Sequence, residues 1–162
     1  MSNLFAVIVA MAPLSLAALL IWVIEMLSVP TLTRMAGERG RHAGVVLGVL
    51  LQSATVIVLL AGAWNPMRIV GTVLAVCGLA WLAEYIGSHT GIPFGRYHYT
   101  PRLTPQLGKV PLLVPLAWLM MLPPAWVVAA RVVGQYHGLK FIVTSALAFT
   151  AWDLFLDPQM VA

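Results

Sequence analysis

Residues 69–86 read IVGTVLAVCGLAWLAEYI, an apolar run whose one charged side chain, Glu84, comes near its end. A helix crosses the hydrocarbon core of a bilayer with about 17–25 mostly apolar residues, and this run has that length. Four more stretches share its character: 4–27, which contains Pro13; 43–63, whose polar members are Gln52, Ser53 and Thr55; 110–133; and 139–156. Backbone polar groups find no water in hydrocarbon, so each stretch is expected to be helical. The expected fold class is all-α: a polytopic membrane helix bundle with about five transmembrane helices, forming one integral membrane domain over residues 1–162. Stretch 110–133 carries Pro111, Pro115, Pro123 and Pro124. A kink or break is expected at Pro123–Pro124, because proline lacks an N–H and clashes with the preceding turn.

Composition agrees. The 162 residues are 61% hydrophobic and 9% charged, against about 25% charged in soluble domains. A water-soluble globular domain is thereby excluded. The nine Lys and Arg residues are scattered through connecting segments, a pattern that speaks for topology and lipid headgroups rather than nucleic acid. Counted by side, Arg34, Arg39, Arg41, Arg96, Arg102 and Lys109 oppose Arg68, Arg131 and Lys140. The expected placement is the cell membrane, with the N-terminus outside and loop 87–109 in the cytoplasm. The apolar N-terminal run has no basic segment before it and no small-residue cleavage pattern after it, so it is read as a retained span. Cys77, the one cysteine, sits in apolar AVCGLAW and is read as a packing residue.

The run continues into the loop as EYIGSHTGIPFGRYHYTPRLTPQLGK, residues 84–109, which holds three of the four tyrosines, half of the histidines and four of the thirteen glycines. A plain connector has no need of that concentration of rings and turn residues. The five acids, Glu25, Glu38, Glu84, Asp153 and Asp157, all fall on the loop's side of the expected topology. A site at that membrane surface is expected.

Asp153 and Asp157, four apart in AWDLFLDP, share one helix face. Like charges there repel, so one proton is expected to be shared, unless Asp157 only marks the membrane edge before Pro158. Glu84 follows an apolar run beside Trp81. It is either a proton donor held by burial or an interfacial acid paired with Arg96 or Arg102. Glu25 reads as an interfacial acid. His89 is placed to exchange a proton or orient a carboxylate; His42, His98 and His137 are weaker candidates. Tyr97 and Tyr99 are either membrane anchors or rings that face an apolar substrate or a cation. No histidine pair has convincing metal-ligand spacing, so no metal is expected.

Three blocks then combine: E-Y-I-G-x-x-T-G-x-P-F-G-x-Y-x-Y at 84–99, V-P-x-x-V-P-L-A-W at 110–118 and A-x-D-L-F-L-D-P-Q-M-V at 151–161. Together they resemble the membrane carotenoid hydratases of the CruF type, which include the bisanhydrobacterioruberin hydratases. The resemblance covers most of residues 84–161; the first two spans match only in general character. It implies addition of water across the terminal C=C bond of an acyclic carotenoid end, giving a tertiary alcohol without a redox cofactor. Members of that family continue with further spans, so the chain is expected to be the N-terminal part of a longer domain. The chemistry needs a proton donor, a stabiliser for a tertiary cation and a placed water. The expected catalytic set is Glu84, Asp153, Asp157 and His89. The expected substrate-contacting set is Tyr97, Tyr99, Thr90, Phe94 and Trp118. Carotenoid and membrane lipid are the expected partners.

Two other readings compete. In the first, Asp153 and Asp157 bind magnesium and a diphosphate for prenyl transfer, or an acid starts end-group cyclisation. In the second, the chain is a non-catalytic subunit or small transporter whose acids carry protons or a cation.

Overall fold

The computed structural model describes residues 12–92, 95, 97–99 and 103–160, with the backbone alone for 153–160. The order is α1 (Pro13–Ala61), α2 (Pro66–Thr90), β1 (Gln106–Leu107), β2 (Val110–Pro111), α3 (Leu113–Val133) and α4 (Gly138–Met160).

Helix α1 has 49 residues and would be about 73 Å long if straight, more than twice a bilayer core. It is not straight. Gly37 (φ 57, ψ −139) interrupts the helical backbone, in a region that favours glycine. The two arms, residues 13–36 and 38–61, fold back on each other. A Cβ at Gly44 would lie 3.0 Å from Val29 Cγ2, and one at Gly48 would lie 3.0 Å from Glu25 Oε2. Thr55 Oγ1 donates to Ala18 O at 3.2 Å. Each pair adds up to nearly the same residue sum, as an antiparallel hairpin requires. Small residues let the backbones approach where no hydrophobic effect drives association.

This corrects the expected element count. Among the described residues the helices number four rather than five, because stretch 28–42, expected as a connector, is helical on both sides of Gly37 and joins the first two expected stretches as arms of one interrupted helix. Three helices, α1, α2 and α3, are long and apolar enough to cross a membrane; the apolar part of α4 among the described residues is Gly138–Trp152. The all-α membrane bundle itself stands.

A second correction concerns α3, which runs unbroken from Leu113 to Val133 through Pro123 and Pro124. The missing N–H groups deprive the carbonyls of Leu119 and Met120 of their helical partners. Packing holds the helix regardless: Leu119 and Ala129 are fully buried, and α3 is in contact with α1, α2 and α4. Ser53 Oγ donates to Leu116 O at 3.0 Å, and Cys77 Sγ approaches Pro115 O at 3.6 Å, so α1 and α2 both dock on the first turns of α3. At the other end Val56, Leu60 and Ile69 form an apolar cluster with Trp64, Val73 and Trp126 around it. Large side chains such as Leu74, Leu79, Val132 and Ile142 face outward, which suits a lipid surround rather than water.

The hairpin yields a test. Gly44→Val overfills the seam against Val29 and is expected to cost about 1–3 kcal/mol, read as a lower unfolding midpoint in detergent, whereas Gly71→Val, where no atom of the described residues lies within 4 Å of a Cβ, should shift it far less.

Candidate functional site

Helix α2 carries the site. Asn65 caps its start by accepting from the Arg68 amide at 2.9 Å, with Pro66 in the first turn. Gly91, left-handed at φ 76, closes its end by donating to Gly87 O at 2.8 Å. This is the usual glycine termination of a helix. The chain then turns back over the last two turns of the helix it has just left.

That return places two phenols on one carboxylate. Tyr97 and Tyr99 both donate to Glu84 Oε2, at 2.6 and 2.7 Å, short O–H···O bonds. The two rings meet edge to face with centroids 5.7 Å apart. Gly87, buried and one turn beyond Glu84, makes room: a Cβ there would stand 2.8 Å from the Tyr97 hydroxyl.

A second contact seats the loop. Gly108 (φ 58) and Lys109 (φ 68) turn the chain between β1 and β2, the pattern of a type I′ turn. Trp81 Nε1 donates to Leu107 O at 3.1 Å, and Gly108 lies over Tyr85, where a Cβ would come within 2.9 Å of the ring. Trp81, Tyr85 and His89 stack along one face of α2, with centroids 5.1 and 4.3 Å apart. Their spacing of four residues was visible in the sequence; the covering by β1 and β2 was not.

The other expected residues divide. His89 is exposed, its ring against Tyr85 and its Nδ1 2.8 Å from Tyr85 O, so it is engaged with its own helix end. Thr90 Oγ1 donates to Ile86 O at 2.7 Å and accepts from the Ile92 amide, a local capping role. Trp118 packs against Phe149 of α4, centroids 5.4 Å apart. Asp153 and Asp157 lie on α4, but their side chains, like all of Phe94, fall outside the described residues. The structure thus brings together Glu84, Tyr97 and Tyr99, and ranges Gly87, Gly108, Trp81 and Tyr85 around them.

The fold and this carboxylate–phenol cluster define an all-α membrane protein with a polar site at one end of its bundle. A family model described as carotenoid biosynthesis protein matches residues 44–162. The chain belongs to that family. The match takes in residues 44–61 of α1 and every later element, the site included. Neither a curated protein nor a solved structure matches.

Gly87→Ala is expected to push the Tyr97 hydroxyl off Glu84 and release the loop, seen as faster proteolytic cleavage between α2 and β1. Tyr97→Phe removes one donor only, at about 1 kcal/mol, and should speed cleavage less.

Proposed function

We propose that this chain is the core of a membrane carotenoid hydratase, which adds water to the terminal C=C bond of an acyclic carotenoid end. The observation that carries the reading is the double phenol–carboxylate contact at Glu84, in a chain of a carotenoid biosynthesis family.

The chemistry runs as follows. An acid protonates the less substituted alkene carbon; the π pair forms the new C–H bond and leaves a tertiary cation. Water adds to that carbon, and the resulting oxonium gives its proton to a carboxylate. Net addition is one water, with no redox change. Oε2 of Glu84 already accepts two O–H donors, which suits an acceptor facing positive charge. Asp153 on α4 is therefore assigned as the proton donor. Tyr97 and Tyr99 are assigned to offer a ring face to the cation, which aromatic faces attract. Asp157 and His89 are assigned to the water. The polyene lies among the helices and its end reaches the loop. By the excess of Lys and Arg on the loop's side, that end is the cytoplasmic one.

Expression of the full-length gene in cells that make an acyclic-ended carotenoid is expected to yield pigment heavier by one or two waters with an unchanged chromophore. An isomer of unchanged mass would point to cyclisation instead. Asp153→Asn is expected to abolish turnover in folded protein, and Glu84→Gln to lower it by about 10²-fold or more. Wild-type turnover in both would overturn the assignment.

A further inference from the structure

Glu25 plays no part in the chemistry above, yet it is the most deeply buried acid among the described residues, 7% exposed. It lies twelve residues before Gly37, about 18 Å of helix from the hairpin's bend. Across the seam stands Gly48, which carries no side chain to answer it. Among the described residues neither carboxyl oxygen has a hydrogen-bond partner, and the indole N–H of Trp22, one turn earlier, is likewise buried with none. The hairpin's charged and titratable groups, Arg34, Glu38, Arg39, Arg41 and His42, crowd around the bend, and Glu38 is already paired with Arg41 at 2.6 Å. The neighbours Ile24, Met26 and Leu27 face outward, toward lipid.

An unpaired charge at such a place is among the costliest things a bundle can hold. Leaving the carboxyl unanswered by the protein is tolerable only when its own proton answers it. We propose that Glu25 is a proton-binding site built into the hairpin, a carboxylic acid that exchanges its proton with lipid-soluble reactants arriving from the bilayer. This stands apart from the hydratase reading, since it concerns a different element and needs no carotenoid.

Such an acid has a diagnostic reaction. Its O–H adds across the N=C=N unit of a lipid-soluble carbodiimide: the proton goes to nitrogen and the carboxyl oxygen bonds to carbon. Acyl migration from oxygen to nitrogen then leaves a stable N-acylurea. No oxidant or reductant is involved, and a carboxylate without its proton is not activated this way.

The test uses the whole protein in lipid nanodiscs at neutral pH. Dicyclohexylcarbodiimide is expected to label Glu25, located by peptide mass spectrometry, and to spare exposed Glu38. In the infrared difference spectrum of wild type minus Glu25→Gln, a protonated-carboxyl C=O band belonging to Glu25 should appear. That variant keeps shape and neutrality, so it should melt with the wild type; Glu25→Asp should keep the label. Absence of that difference band would overturn the proposal. The band without labelling would overturn the exchange with lipid-borne reactants. Equal labelling of Glu25 and Glu38 would overturn the special status of the hairpin site. Hydration activity, present or absent, moves none of these readouts.

Discussion

A carboxylate near the end of an apolar helix must find donors, and the need of Glu84 organises the site end of this molecule. Its donors come from thirteen and fifteen residues further along the chain. Tyr97 and Tyr99 can reach back only because α2 stops at Gly91 and because Gly87 offers no side chain in the way. The indole of Trp81 then takes the Leu107 carbonyl, and the turn at Gly108 rests on Tyr85. A loop that opens from a membrane helix is thereby tied to that helix at two points, and its rings stay beside the acid.

The bundle under the site depends on close approach of backbones. In lipid, apolar side chains gain little from meeting one another, so packing contacts and interhelical hydrogen bonds set the arrangement. The hairpin of α1 closes over Gly44 and Gly48, and side chains of Ser53 and Cys77 reach carbonyls at the start of α3. Helix α3 is the common partner. Its fully buried Leu119 lies one turn before the proline pair, where packing replaces the lost backbone bonds.

Much of this was legible beforehand. Apolar length placed the helices, and the cluster of rings in residues 84–109 pointed to the site. Glu84, Tyr97 and Tyr99 were each picked out, but as separate candidates, with Trp81 as the expected neighbour of the acid. Trp81 instead faces β1 and Tyr85. His89 and Thr90 were picked out by type, and the fold turns His89 Nδ1 and Thr90 Oγ1 onto the end of α2. Glu25 was passed over as an interfacial acid, because nothing in its immediate sequence shows that Gly48 will stand across from it.

The sequence by itself determined the solvent, the helical class and the loop that holds the candidate site. Those follow from composition and from the length of the apolar runs, which neighbours in the chain suffice to express. Only the tertiary structure decided that residues 28–42 bend at one glycine rather than form a loop, that two phenols share one oxygen of Glu84, and that Glu25 is left unanswered. The pairings behind these join residues thirteen or more positions apart, and such pairings are fixed by how closely backbones can approach, a property of the packed bundle rather than of any one segment.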